Sequence, residues 1–277
     1  MMFTLNCNGR LLAAQHTLVM GIINCTPDSF YDGSRFNERD VIIRQAEKML
    51  NDGADIIDIG GQSTRPGAEQ VSITEELNRV IPAIETVRAY FPDSFISIDT
   101  YHSRVAREAV AMGASIVNDI SAGNADHDMI SSVASMNIPY VCMHMKGNPE
   151  TMQKNAVYEN LHKELLDFFI AKKMECKGAG IKDIIIDPGF GFGKTIQHNF
   201  QLLNHLEIFK ILDCPILVGL SRKSSIYKTL GITVQEALNG TTVMNTIALM
   251  KGASILRVHD VKEAKEAVRL MQKLVGS

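Results

Sequence analysis

The sequence predicts an α/β chain folded as a single (β/α)8 barrel of the TIM type, one domain spanning residues 1–277. Three observations carry this. Short apolar runs recur eight times, and an amphipathic segment follows each of them. The runs are rich in Val, Ile and Leu and mostly lack polar alternation, which is how strands buried on both faces read. The length of 277 residues suits such a barrel, which typically takes roughly 250. An open doubly wound sheet is the competing arrangement, but the Gly-rich GxGxxG turn expected after its first strand is missing.

The elements follow in order. Residues 3–14 read as a short N-terminal hairpin turning at Asn8-Gly9, a dipeptide that favours a two-residue turn, and the hairpin would cover the barrel floor. Strands are expected at 18–24, 55–60, 95–99, 115–119, 139–144, 183–187, 215–220 and 254–258. Helical patterns lie between them, among them 39–51, 75–90, 103–112 and 160–177. Ser72 with Glu75, and Asp260 with Glu263, have capping-box spacing at helix starts.

Composition narrows the class. Hydrophobic residues make up 45% and charged residues 21%, as in a soluble enzyme-sized domain. The net charge of −3 carries no nucleic-acid footprint. Five cysteines are scattered without a CxxC pair, which argues for reduced thiols and against a disulfide frame or zinc site. No basic segment followed by an apolar core opens the chain, and no apolar run is long enough to span a bilayer. The expectation is a cytoplasmic protein with no membrane partner.

A barrel concentrates function at the C-terminal ends of its strands. Those ends carry Asn24, Asp58, Asp99, Asn118 with Asp119, His144, Asp187, Ser221 to Lys223, and Arg257 with His259. One isolated Asp at such a place is usually a helix cap. Eight tips together are a different matter, because charged Lys, Arg and His cannot accept a backbone N–H bond. The set divides in two. Asp99, Asn118 and Asp187 suit a flat heterocycle with several N–H donors. Arg257, His259 and Arg65 suit phosphate oxygens, and Asn24 offers a neutral oxygen for Mg²⁺. The loops 24–33 and 60–69 mix Gly and Pro with polar residues and read as mobile strand-end loops, from which lids are drawn. In "DPGFGFGK" (187–194) the glycines would admit close ligand approach and the phenylalanines would line an aromatic slot. The stretch is not a phosphate loop, because Pro188 stands where the first Gly is needed. Nor is "GLSRK" a nucleophile elbow, since Lys223 replaces its second Gly.

Eight ordered blocks, "GIINCTPDSFYDG", "GGQSTRPGA", "SIDT", "VNDIS", "MHMKGNPETMQ", "DPGFGFGK", "GLSRKSSI" and "RVHDV", resemble the motifs of the dihydropteroate synthase family over nearly the whole chain. That resemblance implies a transferase of folate biosynthesis. It would join two small-molecule substrates, 6-hydroxymethyl-7,8-dihydropterin diphosphate and 4-aminobenzoate, with Mg²⁺, and it would act as a homodimer.

By position, the resemblance makes Asp99, Asn118 and Asp187 the pterin set, with Lys223 donating to the pterin carbonyl and ring nitrogen. Met143 and Phe192 would line the slot, and Phe190 would lie toward the aminobenzoate. Asn24 would contact metal and diphosphate, and Arg257 with His259 would clamp the anion. Phe30 and Asp32, with Thr64, Arg65 and Pro66, would close over the site. Asp32 would face the developing cation, and Ser224, opening a helix, would receive the aminobenzoate carboxylate. Lys223, Asp32, Arg65 and Arg257 are the expected catalytic residues. One position departs from the family: the second loop commonly reads GGEST, and Gln62 here drops the charge.

Two rival readings share the acidic pocket. A methyltetrahydrofolate methyltransferase has no use for a diphosphate clamp, and an inactive pterin-binding protein has no need of intact Asn24, Arg65, Lys223 and Arg257. The remaining candidates have bland readings. Asp58 and Asp119 would brace loops, Arg222 would be a structural ion-pair partner, and His144 divides evenly between packing and a role. His102, His127, His162, His198 and His205 would be solvated on or beside helices.

Overall fold

The computed structural model describes residues 2–26, 35–62, 70–147, 152 and 156–275, with side chains omitted at 35–38 and 275. A hairpin, β1 (Phe3–Cys7) and β2 (Arg10–Ala14), precedes eight parallel strands. These are β3 (Leu18–Asn24), β4 (Ile56–Gly60), β5 (Phe95–Asp99), β6 (Ile116–Asp119), β7 (Tyr140–Met143), β8 (Ile184–Asp187), β9 (Leu217–Val218) and β10 (Ile255–Val258). They pair in the order β8-β7-β6-β5-β4-β3-β10-β9, and a parallel bridge between Ile186 and Ile216 joins the two ends. The helices α1 (Arg35–Asn51), α2 (Ile73–Tyr90), α3 (Ser103–Ala111), α4 (Met129–Met136), α5 (Leu161–Ala179), α6 (Ile196–Asn204), α7 (Ser224–Leu230), α8 (Leu238–Lys251) and α9 (Val261–Val275) alternate with the strands. Among the described residues no helix is long and apolar enough to cross a membrane.

All eight expected strands form within a residue or two, except that 215–220 shrinks to Leu217–Val218. Pro215 has no N–H to give the ladder. Its carbonyl still accepts from the Ile186 N–H at 3.0 Å, which closes the barrel. The hairpin turns where expected, with Asn8 and Gly9 at φ of 55° and 83°. Both are left-handed, as the turn that matches strand twist requires.

Side-chain alternation builds two cores. Val19, Ile57, Ile59, Ile96, Ile98, Val117, Cys142, Ile186, Val218 and Leu256 point outward and pack against the helices. Met20, Ile56, Ile116, Val141, Ile185, Leu217 and Ile255 point inward at the lower end of the barrel. Leu5, Cys7, Leu12 and Ala14 of the hairpin join this inner cluster, so β1 and β2 plug the floor. Beside the plug, a cavity of about 250 Å³ lined by Cys7, Arg10, Arg88 and Ser115 holds none of the strand-tip residues.

Caps fix where helices begin. The Ser72 hydroxyl accepts from the Glu75 N–H at 3.2 Å as its spacing predicts, although the Glu75 carboxylate turns to Arg79 at 2.9 Å. Asp260 departs from its expected capping role: both its oxygens accept from the Arg222 guanidinium at 2.9 Å. A bidentate charged pair outcompetes a single backbone N–H.

Leu5→Ala should lower the unfolding free energy by about 2–5 kcal/mol, the usual cost of a cavity at a buried Leu, because Leu5 is 2% exposed in the floor plug. Urea titration checks this. The strand tips lie at the other end of the barrel, so ligand affinity there should not change.

Candidate active site

Counting in twos up each strand from the apolar floor shows which side chains reach the barrel mouth. Ile56 leads to Asp58, Ile116 to Asn118, Val141 to Met143, Ile185 to Asp187 and Ile255 to Arg257. Register then sets their height. Asn24, Gly60, Asp99 and Asn118 are successive Cα partners across four adjacent strands, and Met143 pairs with Asp187. The polar tips therefore form one ring above the floor.

Arg257 organises that ring. Its Nε donates to Asp58 Oδ2 at 2.6 Å and its Nη2 to Asp99 Oδ2 at 2.6 Å. Asn118 Nδ2 donates to the same Asp58 oxygen at 3.2 Å. Burial alone would weaken the Arg257 charge, but the two carboxylates outweigh it and hold the guanidinium firmly protonated. Burial pushes the Asp99 carboxyl upward, with Arg257 pulling the other way. Burial likewise raises Asp187, opposed by the Gly189 N–H, which donates to Asp187 Oδ1 at 2.7 Å, and by Lys223.

Lys223 completes the charged set. Burial, followed by repulsion from Arg257, lowers its ammonium to about 8, while Asp187 and Asp99 support the charge. Its Nζ lies 4.3 Å from the centre of the Phe192 ring, within cation–π range. Phe192 packs with Tyr101, Ile120, Met143 and Met152. The mouth thus joins an apolar wall to a floor of paired charges, which can hold a flat polar ring by its edge.

The glycines of the 187–194 loop serve a purpose other than the expected one. A Cβ at Gly189 would collide with the His144 carbonyl oxygen, and one at Gly193 would lie 2.6 Å from the Lys146 carbonyl oxygen. Both are bare so that this loop can pack on the loop after β7. Only a Cβ at Gly191 would face the site, 3.2 Å from Lys223 Cδ.

The other expected residues divide. Asn24 ends β3 half-buried, and Ser224 opens α7 half-buried with Lys223 as its cap. His259 is held by Ser221, with Nδ1 at 3.0 Å from Oγ, and burial and Arg257 lower it to about 4. Burial thus favours the neutral imidazole, which can still donate one N–H to an anion. Phe190 requires a correction: it is 1% exposed and belongs to the outer core against the helices, so its ring is packing and not pocket wall. Phe30, Asp32, Thr64, Arg65 and Pro66 lie outside the described residues. Gln62 is buried and donates to the Tyr101 hydroxyl at 2.6 Å. An amide there avoids one more carboxylate in a wall that already buries Glu76 and Asp99.

Among the bland readings, Arg222 pairs with Asp260 as expected. Asp119 points outward and accepts from Tyr140 Oη at 2.6 Å and from the Ser121 and Gly123 N–H groups, each at 2.7 Å, so it does brace its loop. Asp58 does not brace a loop; it is 0% exposed at the heart of the ring. His198 completes the capping box of α6, whose N-cap is Thr195, and His144 is buried beside Phe168, Phe169 and Lys194. The reading of the sequence placed Asp58 at a strand tip but gave it only a bracing role, and it missed Tyr101 and Ile120. Each lies on the inward parity of its strand or one step beyond it, so counting in twos would have found all three.

The lowered pKa of Lys223 has a consequence for stability. The folded state releases this proton near pH 8, whereas an unfolded lysine holds it to about 10.4. Between these values the unfolded state binds more protons, so this group makes stability rise with pH across that window. Lys223→Met should flatten the rise by about 1–3 kcal/mol between pH 8 and 10.5, measured by urea unfolding of both proteins at each pH.

Comparison with known proteins gives the lineage. Residues 20–259 match the family of pterin binding enzymes. The chain is 44% identical over 271 residues to dihydropteroate synthase of Escherichia coli strain K12, covering 97% of this chain and 95% of that one. It is 43% identical over 264 residues to the Bacillus subtilis strain 168 enzyme, covering 95% and 90%. The structure of Xanthomonas albilineans dihydropteroate synthase with 4-aminobenzoic acid matches with a TM-score of 0.93 at 38% identity, over 100% of both chains. That of the Yersinia pestis enzyme with a sulfonamide drug matches with a TM-score of 0.92 at 40% identity, again over 100% of both. A ring of paired charges beside an apolar wall, on a barrel matched end to end by these proteins, shows that the chain belongs to the pterin-binding enzymes and, among them, to the dihydropteroate synthases.

Proposed function

We propose that this mouth binds 6-hydroxymethyl-7,8-dihydropterin diphosphate and 4-aminobenzoate and joins them, forming 7,8-dihydropteroate and releasing pyrophosphate. The observation that carries the reading is the charged ring itself: Asp99, Asp187, Asn118, Lys223 and Arg257 converge beside the Met143 and Phe192 wall. Asp187 and Asn118 face the amino-pyrimidine edge, where a carboxylate accepts N–H groups in pairs. Lys223 donates to the ring carbonyl and a ring nitrogen. Arg257 has committed two of its five N–H donors to Asp58 and Asp99, which aims the guanidinium before any ligand arrives.

The reaction is substitution at the exocyclic methylene. The C–O bond breaks, its electron pair leaves with the diphosphate, and the neutral aniline nitrogen attacks the carbon and then sheds a proton. The pterin spreads the developing positive charge, and the family resemblance gives Asp32 the role of offsetting it. Arg257 and the neutral His259 stabilise the departing oxygens, while the loops bearing Phe30, Thr64, Arg65 and Pro66 exclude water. Ser224 receives the aminobenzoate carboxylate. Asn24 offers one neutral amide oxygen at the mouth, a donor that fits Mg²⁺, since this ion leans on substrate phosphates and water. When bound, the ion would neutralise charge on the leaving group.

A homodimer fits the exposed apolar residues Val243 and Met250 on α8 and Leu270 and Leu274 on α9. A reducing cytoplasm fits five cysteines that are all buried thiols. The methyltransferase alternative leaves the STRPG, SRKSS and RVH segments without a task.

Purified protein should release pyrophosphate only when both substrates are present; release with either alone, or none, would reject this reading. Asp187→Asn should raise the KM for the pterin substrate roughly 10–100-fold, the loss of one charged hydrogen bond, with an unchanged melting temperature. Arg65→Ala should impair turnover or aminobenzoate use more than pterin binding, read from separate titrations of the two substrates.

A further inference from the structure

Lys194 closes the glycine-rich loop, and nothing in the chemistry above employs it. It is 2% exposed, and lysines are almost never buried so fully without partners. Its Nζ donates to the Gly189 carbonyl at 3.0 Å, the Phe192 carbonyl at 3.1 Å and the His144 carbonyl at 3.3 Å, with His144 Nδ1 at 3.1 Å. One ammonium thus ties two points of its own loop to the end of β7.

The two points are those that carry the site. Gly189 donates its N–H to Asp187 Oδ1 at 2.7 Å, so fixing Gly189 fixes the carboxylate. Phe192 presents its ring under Lys223 Nζ. The chain at and around them has Gly189, Gly191 and Gly193 at φ of 71°, 84° and 59°. Glycine has the widest conformational freedom of any residue, so a left-handed run of this kind needs outside ties to keep one shape. Gly191 is held by Asn199, which accepts its N–H at 2.6 Å, and Gly193 by the Tyr158 hydroxyl at 2.8 Å. Lys194 supplies the ties at the remaining two positions.

We infer that Lys194 is a positioning residue for the pterin end of the substrate, acting through three backbone carbonyls to set the Asp187 carboxylate and the Phe192 ring at their working separation. The inference rests on the pterin reading of the mouth. Burial lowers the ammonium to about 7 and the Asp187 carboxylate supports it, so the two buried charges also sustain each other.

The test uses the full chain carrying Lys194→Met, which keeps the length and removes the donors, and Lys194→Gln, which keeps two N–H donors. Lys194→Met should raise the KM for the pterin diphosphate by about tenfold or more, with kcat and the KM for 4-aminobenzoate within about threefold of the parent. Lys194→Gln should fall between. A merely structural role would lower the active fraction and hence kcat, leaving both KM values in place; that result, or a parallel rise in both, overturns the inference. If Lys194→Met does not fold, the ratio of the two KM changes in Lys194→Gln decides by the same criterion. Failure of the pterin reading is distinct, because the parent protein itself would then release no pyrophosphate.

Discussion

The guanidinium of Arg257 between Asp58 and Asp99 is the interaction on which the rest of the mouth depends. Charges taken out of water cost several kcal/mol each unless they are paired and hydrogen-bonded. Asp58 is fully buried and one of its oxygens has no partner among the described residues, so its other oxygen must be well served; Arg257 and Asn118 both donate to it. That arrangement lets four strands, β4, β5, β6 and β10, carry polar groups above an apolar floor. It also leaves the opposite side of the ring, Asp187 and Lys223, to balance each other across the slot.

The loop behind Asp187 solves a related problem. Its backbone lies against the loop after β7 so closely that side chains at 189 and 193 are sterically excluded. Removing side chains removes rigidity as well as bulk. The structure restores rigidity with Asn199 and Tyr158 from outside the loop and with Lys194 at its end. The site carboxylate is thereby held by groups that never touch the slot.

Stability and chemistry occupy opposite ends of the barrel. The inner cluster of Met20, Ile56, Ile116, Val141, Ile185, Leu217 and Ile255 is sealed from below by the hairpin. The upper layer is polar and pays for it in desolvation, as the raised carboxyls and lowered ammoniums record. A fold with this division can vary its upper loops without disturbing the core that closes the sheet.

By itself the sequence determined the order of the strands and the extent of all but β9, because strands buried on both faces must be apolar and short, and it determined which residues stand at their ends. Ser72 and the Asn8-Gly9 turn were also legible, since each depends only on near neighbours. The tertiary structure decided what side each tip faces and what it meets there. Asp58 and Asp119 are the same residue near the ends of two strands, yet one points inward to Arg257 and the other outward to Tyr140. Phe190 and Phe192 stand two apart in one loop, yet one fills the outer core and the other lines the slot, because the left-handed glycines between and beside them break the alternation. Asp260 looked like a cap until Arg222, 38 residues away, claimed both its oxygens. Composition and local spacing carry short-range rules; partners distant in the chain meet only when the barrel closes, and the pairing of buried charges is settled there.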